Sequence, residues 1–233
     1  MATFDEREFL ETVIGQPAAI VVLRRESAMT KEDVRRLAII LGGVKSCRAF
    51  DEIRTIKHVP SAVRSTALGL GKHEFHTDGS FIPEPPSRFI LSFRTSDPGG
   101  GGVSTFVPVS AILAEAPLDV VMALNEAEYR FARDDDGGFT DVFTGPILSR
   151  DVLGNVAFRW RCDDHVRPEV VRSNGTAGTE AVQWVQSFLE IIKPVEYAAQ
   201  TGEAILIPNR LWLHGRTALS PDSPREVYRA WIP

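Results

Sequence analysis

The residue pattern with the clearest chemical use is the pair His76 and Asp78, which are separated by one residue. On an extended strand, side chains two residues apart point to the same face, so this pair could hold one metal ion together. A second histidine, His214, lies far along the chain in the segment 209–216. Two imidazoles and one carboxylate on one side of a metal leave the opposite positions open for a bidentate co-substrate and dioxygen, as in non-haem Fe(II) sites. The three residues are therefore predicted to bind iron and to form the catalytic centre.

A His-x-Asp pattern also arises by chance, and simpler interpretations of these residues are structural. His76 could be a half-buried histidine bonded to Asp78, and His214 could be a capping or core histidine. His73 lies three residues before His76 and would not share its face on a regular strand. The other histidines have no ligand partner in the sequence and are interpreted as surface or supporting residues: His58, His73 and His165.

Length and composition indicate a globular protein with a small-molecule partner. Of the 233 residues, 43% are hydrophobic, and 31 acidic against 26 basic residues give a net charge of −5 without a basic cluster, so nucleic acid is not expected. No apolar run approaches the roughly 18 residues of a spanning helix, and the charged first residues do not resemble a signal peptide, so no membrane is expected. The two cysteines, Cys47 and Cys162, show no metal-binding spacing. We expect a cytoplasmic protein, and the residues indicate no oligomeric state.

Hydrophobic periodicity predicts short strands around the candidate ligands, with helices at the start of the chain and between strands. Helices are predicted at 5–14, 30–41, 110–124 with a break at Pro117, and 179–192. Strands are predicted around His76 and at 18–23, 87–94, 103–107, 156–161, 204–207 and 225–232. This distribution favours a mostly β fold with flanking helices and a double-stranded β-helix, or jelly-roll, core. One domain is expected over 1–233, with 1–45 as a helix–strand–helix cover and 70–233 as the core.

Two stretches have no clear period. Residues 47–71 combine weak, strand-like pieces with Pro60. Residues 133–150 are rich in Asp and Gly and are predicted to form a mobile surface loop, of the kind that closes over a substrate.

Taken in order, the motifs resemble those of the taurine dioxygenase and clavaminate synthase-like superfamily of Fe(II)- and 2-oxoglutarate-dependent oxygenases. His76-Thr77-Asp78 is similar to the family segment with the first two ligands, and His214-Gly215 within 209–217 is similar to the segment with the third. The likeness covers most of the chain. It implies a jelly-roll fold, Fe(II), and 2-oxoglutarate and O2 as co-substrates. Retention of Asp78 argues against a halogenase, in which a small residue replaces this carboxylate.

The resemblance also implies a site for the distal carboxylate of 2-oxoglutarate. Arg229 follows His214 by 15 residues, close to the family spacing, and an arginine can bind a carboxylate bidentately. Arg225, four residues earlier, is its competitor. Ser104 stands where the family usually has a threonine, and Thr105 replaces it if the register moves by one. Only one of the two hydroxyls can contribute, because adjacent strand residues face opposite sides.

The implied reaction is oxidation, most simply hydroxylation, of an unactivated C–H bond in a small polar metabolite such as an amino acid or biosynthetic intermediate, with release of succinate and CO2. Arginines could hold an acidic or amino-acid-like substrate, and four are candidates: Arg216, Arg159, Arg161 and Arg94. Arg216 could equally form a structural ion pair. Two other functions stay open: a jelly-roll isomerase or hydrolase with another divalent ion, which would not need Arg229, and a non-catalytic small-molecule-binding jelly roll.

Overall fold

The computed structural model describes residues 3–46, 52–59, 66–134, 140–150, 154–163 and 166–233. The predictions for Cys47 and His165 lie outside these residues. Within the described ranges, the helices are α1 (Glu6–Gly15), α2 (Lys31–Ile40), α3 (Val109–Glu115), α4 (Leu118–Glu126) and α5 (Ala177–Ile191), with one 3-10 turn at Thr66–Leu68. None of these helices combines the length and the apolarity needed to cross a bilayer.

The first two helices begin at side chains that cap them. The Asp5 carboxylate accepts a hydrogen bond from the backbone N–H of Glu8 at 2.9 Å, at the start of α1. Thr30 and Asp33 form a reciprocal capping box at the start of α2. Such caps satisfy backbone N–H groups that have no partner inside a helix. Both helices therefore begin within one residue of the predicted position.

The strands are short and nearly all antiparallel: β1 (Thr3–Phe4), β2 (Val21–Arg24), β3 (Ile53–Lys57), β4 (His73–His76), β5 (Arg88–Thr95), β6 (Ser104–Pro108), β7 (Glu128–Asp134), β8 (Thr140–Gly145), β9 (Leu148–Arg150), β10 (Val156–Phe158), β11 (Glu169–Arg172), β12 (Val195–Tyr197), β13 (Glu203–Pro208), β14 (Trp212–Arg216) and β15 (Glu226–Ile232). Two sheets form the jelly roll. The major sheet has the order β1-β2-β13-β5-β15-β3, and the minor sheet has the order β12-β6-β14-β4. The predicted fold class is confirmed.

The hydrophobic core has three layers. Helices α1 and α2 pack on the outer face of the major sheet, with Phe9 and Leu37 against Leu206. Between the sheets, Phe89 and Phe93 of β5 meet Phe106 of β6. The remaining helices pack on the outer face of the minor sheet. Some residues of β14 and β15 pack against these helices on the outer faces of the sheets. Because side chains alternate along a strand, the residues between them face the space between the sheets.

Three parts of the chain differ from the sequence-based prediction. Where a mobile loop was predicted at 133–150, the described residues form strands β7, β8 and β9, and β7 pairs with β8. Strand β3 lies in the stretch with weak signals and pairs with β15 at the edge of the major sheet. Strand β2 from the predicted N-terminal cover is part of the major sheet, beside β13. Strands β13 and β15, with which β2 and β3 pair in the major sheet, are more than 150 residues away, and local periodicity carries no information about such contacts.

Strand β4 contains a bulge that changes which residues share a face. His76 pairs with His214 and His73 pairs with Arg216, so three residues of β4 span the length of two residues of β14. An extra residue of this kind moves a side chain to the other face. The rings of His73 and His76 are therefore neighbours, with centroids 4.1 Å apart, and the prediction that they do not share a face is wrong. Gly215 permits this approach, because a Cβ there would lie 2.6 Å from the backbone oxygen of His73.

Arg159 holds the turn that follows Asp78. Its guanidinium is largely buried and donates hydrogen bonds to the carbonyl oxygens of Gly79, Ser80, Ile82 and Pro83, at 3.4, 2.6, 2.7 and 3.1 Å. Burial lowers the pKa of Arg159 to about 10. Arg159 thus stabilises this turn through backbone carbonyls, and its predicted contact with a substrate stays a prediction.

Replacement of Arg159 by methionine should lower the free energy of unfolding by about 2–4 kcal/mol, because buried carbonyl groups lose charged donors. Chemical denaturation measures this change. The control is Arg94→Met on exposed surface, where about 0.5 kcal/mol or less is expected. Equal losses in the two variants would contradict the role given to Arg159.

Candidate metal centre

The three predicted ligands meet at one point between the two sheets. His76 ends β4 and pairs directly with His214 of β14, and their ring centroids are 4.1 Å apart. Asp78 Oδ1 lies 3.8 Å from His76 Nε2. One ligand atom from each of the three residues lies within 4.8 Å of the other two, and all three residues are buried. This is the compact two-histidine, one-carboxylate cluster that the spacing predicts.

Asp78 reaches the cluster from a turn and not, as predicted, from the strand, because β4 ends at His76. Asn209 fixes this turn. Its side-chain oxygen accepts from the backbone N–H of Asp78 at 2.7 Å, and its Nδ2 donates to the carbonyl oxygens of Asp78 and Pro86, each at 2.9 Å. Thr77 N–H donates to the carbonyl of Trp160 at 2.7 Å. Main-chain geometry therefore sets the direction of the carboxylate.

The Asp78 carboxylate is held ionised by two donors from β15. Arg229 Nη1 donates to Oδ1 and Trp231 Nε1 donates to Oδ2, both at 2.7 Å. Burial opposes ionisation, but Arg229, His214, His76 and the Trp231 hydrogen bond together lower the pKa of Asp78 to about 2. Each carboxylate oxygen has more than one lone pair, so these bonds leave capacity for a metal.

Both histidines are neutral at physiological pH. Burial, and then the charge of Arg161, lower the pKa of His76 to about 4. Burial also holds the pKa of His214 well below its usual value. His76 Nδ1 is hydrogen-bonded to the carbonyl oxygen of Glu74 at 2.8 Å, which leaves Nε2 for a metal. Two neutral imidazoles and an ionised carboxylate are the protonation states that a divalent metal requires, so the residues fit Fe(II).

A small cleft opens beside the cluster between the two sheets. Its walls combine apolar side chains with a few convergent polar groups, as is usual for a small-molecule site. The lining residues are Ile56, Ala67, His73, His76, Leu91, Ser104, His214, Gly215, Arg216, Arg225, Val227 and Arg229.

Arg225 and Ser104 both face this cleft. Arg225 is buried, and its guanidinium lies over the ring of Phe93 at 5.2 Å. Within the described part of the chain, its Nε has no hydrogen-bond partner, and burial lowers its pKa to about 10. Thr105, the alternative to Ser104, pairs with Gly215 and points to the outer face of the minor sheet. The cleft thus contains a buried cation and a hydroxyl.

The other predicted arginines have different neighbours. Arg229, which is predicted to bind the distal carboxylate of 2-oxoglutarate, lines the cleft and donates to Asp78. Arg216 donates to the carbonyl oxygens of Gly71 and Thr217, at 2.7 and 3.1 Å. Arg161 pairs with Asp163 at 2.8 Å and forms a backbone bridge with His76. Arg94 is half-exposed, pairs with Glu226 and is absent from the cleft lining.

Sequence reasoning missed four residues that support the site. Asn209 and Trp231 hold Asp78, and His73 reaches the cleft through the bulge. Arg54 of β3 lies opposite Arg229 of β15 in the strand register. Burial, and then the charge of Arg229, lower the pKa of Arg54 to about 9. A period-two pattern on β15 identifies Trp231 as inward-facing, but the other three depend on long-range pairing.

These features define a jelly-roll protein whose two histidines and one carboxylate could hold a divalent metal. Residues 8–231 match the profile of the family described as taurine catabolism dioxygenase TauD, TfdA family, and the chain belongs to this family. It is therefore a dioxygenase. The two alternatives that the sequence left open, a jelly-roll isomerase or hydrolase and a non-catalytic binding protein, are not supported. A comparison with curated protein sequences found no match.

Solved structures of similar fold include an asparagine oxygenase in complex with Fe(II), 3-hydroxyasparagine and succinate. It is 20% identical, with a TM-score of 0.76 over 97% of this chain and 78% of that chain. The non-haem iron oxygenase OrfP in complex with Fe and alpha-ketoglutaric acid is 16% identical, with a TM-score of 0.72 over 97% of this chain and 79% of that chain. A mutant of OrfP in complex with (3S)-hydroxy-L-Arg is 17% identical, with a TM-score of 0.73 over 97% and 78%. Identity at this level supports the fold of the described residues.

Trp231→Phe should weaken Fe(II) or Co(II) affinity by about 10-fold or more, because partners that orient a ligating carboxylate typically contribute this much. Anaerobic calorimetric titration measures the affinity. Trp212→Phe is the matched control, since it also loses an indole hydrogen bond, to Ala18 at 2.8 Å, but away from Asp78. An unchanged metal affinity in Trp231→Phe would show that the indole does not position the carboxylate.

Proposed function

We propose that this protein is an Fe(II)- and 2-oxoglutarate-dependent oxygenase that hydroxylates an unactivated C–H bond of a small polar metabolite, with release of succinate and CO2. His76, Asp78 and His214 would hold the iron. The observation that carries this proposal is the buried three-residue cluster beside a cleft that contains Arg225, a buried arginine without an ion pair among the described residues. A metal-dependent isomerase or hydrolase would have no use for that cation.

Arg225 is assigned as the anchor for the distal carboxylate of 2-oxoglutarate, in place of Arg229. Arg229 already donates to Asp78 at 2.7 Å, whereas Arg225 Nε is buried without a partner in the described residues. A buried, unpaired cation is costly, and an incoming carboxylate would remove that cost. Ser104 would add a hydroxyl donor, and its place in the cleft lining, with Thr105 on the other face of β6, supports this choice.

Arg229 has a different part in this proposal. It neutralises Asp78 and fixes the carboxylate together with Trp231, so the ligand is pre-oriented before a metal binds. Loss of Arg229 should lower the affinity for the metal and also the affinity for a ligand in the adjoining cleft.

The substrate is proposed to be an amino acid or a related carboxylate. The support is electrostatic: Arg133, Arg161 and Arg229 each lower the pKa of Arg54, on which Asp78 also acts, so several cations lie in the neighbourhood of the Asp78 carboxylate. Cations in a low-dielectric cleft attract an anionic group. The similar structures with bound hydroxyasparagine and hydroxyarginine agree with a substrate of this class.

The described residues would contribute binding, orientation and exclusion of water. When bound, Fe(II) and 2-oxoglutarate supply the oxidising chemistry with dioxygen. Phe89 contacts the ring of His214 from the opposite sheet, with centroids 4.5 Å apart, and shields that ligand from solvent. The cation cluster would fix the substrate carboxylate so that one C–H bond faces the metal.

We further propose that 1–233 acts as one catalytic domain, because both the first strands and the last strand belong to the major sheet. A cytoplasmic location is also part of the proposal and is supported by a composition with only two cysteines.

The decisive test is anaerobic addition of Fe(II) and 2-oxoglutarate to the full chain. A visible charge-transfer band is expected, because the keto acid would chelate the metal, and His214→Ala should abolish the band. No band in the unaltered protein would exclude the proposed activity. A panel of amino acids and their derivatives, screened for substrate-stimulated succinate release, would then identify the substrate.

Arg225→Met should raise the Kd for 2-oxoglutarate by about 10- to 100-fold, because a charge-assisted hydrogen bond is lost, while Fe(II) affinity stays within about twofold. Titration of the charge-transfer band measures the first value, and calorimetry measures the second. Arg94→Met is the control. If Arg229→Met weakens the keto acid but leaves metal affinity unchanged, and Arg225→Met does neither, the anchor is Arg229.

A further inference from the structure

We propose that His73 is a further binding residue for the co-substrate: its Nε2–H donates a hydrogen bond to the distal carboxylate of 2-oxoglutarate, beside Arg225 and Ser104. This inference rests on the proposed function and assigns a role to a histidine that lies outside the metal cluster. It accounts for His73 Nε2, a buried polar atom that has no part in binding the metal.

The first observation is the state of the His73 side chain. It lines the cleft, and its Nε2 is buried with no hydrogen-bond partner among the described residues. Nearly all buried polar groups have a hydrogen-bond partner that compensates for the loss of water, and the structure shows none for this nitrogen among the described residues. The His73 ring lies beside that of His76, with centroids 4.1 Å apart, and this contact restricts its orientation. A ligand in the cleft is the partner that this nitrogen lacks.

The second observation is the row of residues to which His73 belongs. Arg216 of β14 pairs with His73 on one side and with Ser104 of β6 on the other, so the three side chains form one row across the minor sheet. The neighbouring row contains His76 and His214. The rows are two residues apart on β14, which corresponds to about 6.8 Å. A five-carbon keto acid chelated at the metal row would extend its far carboxylate to the row of His73 and Ser104.

The third observation concerns the donors available at that row. Arg216 uses its Nη1 on the carbonyl oxygens of Gly71 and Thr217. His73 and Ser104 flank it, and Arg225, which immediately precedes β15 of the facing major sheet, also lines the cleft. A carboxylate offers about four lone-pair positions, enough for a guanidinium, a hydroxyl and an imidazole N–H together. The three groups would therefore enclose one carboxylate from two sheets.

The bulge in β4 is what makes this possible. On a regular strand, the residue three positions before His76 would face outward. The extra residue returns His73 to the inner face, and the absence of a side chain at Gly215 leaves space for the His73 backbone. The bulge thus adds a donor to the cleft and leaves the direct pairing of His76 with His214 intact.

Selectivity for the length and charge of the keto acid follows from this arrangement. 2-Oxoglutarate presents a distal carboxylate to His73, whereas 2-oxobutanoate chelates a metal in the same way but has no second carboxylate. Removal of the His73 donor should consequently affect only the first compound.

The experiment compares His73→Phe, His73→Gln and the control His58→Phe in the full chain. Phenylalanine keeps a ring against His76 but has no donor, and glutamine restores an N–H. His58 is a suitable control because its Nδ1 bonds to the carbonyl oxygen of Leu68 and it is absent from the cleft lining. For each protein, anaerobic titration of the charge-transfer band gives the Kd of 2-oxoglutarate and of 2-oxobutanoate, and calorimetry gives the Co(II) affinity.

His73→Phe should raise the Kd of 2-oxoglutarate about 10-fold, which corresponds to about 1.4 kcal/mol. Its Kd for 2-oxobutanoate and its Co(II) affinity should change by less than about twofold, and His73→Gln should recover part of the loss. An unchanged Kd for 2-oxoglutarate, or an equal change for both keto acids, would overturn the inference. If the unaltered protein gives no band with either keto acid, the proposed function itself fails, which is a distinct result.

Discussion

The site depends on one buried, ionised carboxylate whose charge is compensated within the protein. Asp78 is only 4% exposed, and a charge in such a position is stable only with close donors. Arg229 and Trp231 of β15 supply those donors, while Asn209 holds the backbone of the turn. The interaction therefore connects a turn after the minor sheet to the last strand of the major sheet. In this way the same bonds that join the two sheets also orient a metal ligand.

The two histidines are positioned by different means. His214 lies on β14, which is paired on both sides, with β6 and β4. His76 lies at the end of β4, where the strand gives way to the Asp78 turn. The doubly paired strand β14 positions His214, the end of β4 positions His76, and the hydrogen-bonded turn after β4 positions Asp78. The cluster combines both kinds of support.

The sequence predicted the elements with strong periodicity and the three residues of the cluster. Helix α2 and strand β13, for example, have apolar patterns that follow from local burial. The choice between Arg229 and Arg225 could not be made in the same way. Both side chains line the cleft, and their surroundings differ through the contact of Arg229 with Asp78, which is 151 positions away.

The hairpin of β7 and β8 was predicted as a loop for a similar reason. Its Asp- and Gly-rich composition resembles that of a loop, whereas its strand character comes from pairing with β11 and between β7 and β8. The position of His73 was mispredicted because a bulge has no signature in a single sequence. Pairing partners, which decide both cases, are properties of the folded chain.

Gly215 shows how a residue without a functional group can determine a binding surface. It touches neither a metal ligand atom nor a charge, but its lack of a side chain sets the clearance between β14 and the bulged part of β4. A larger residue would force these two strands apart by more than a rotamer change can absorb, since the obstacle is backbone. The inward direction of the His73 imidazole therefore depends on the space beside Gly215, on the opposite face of the sheet.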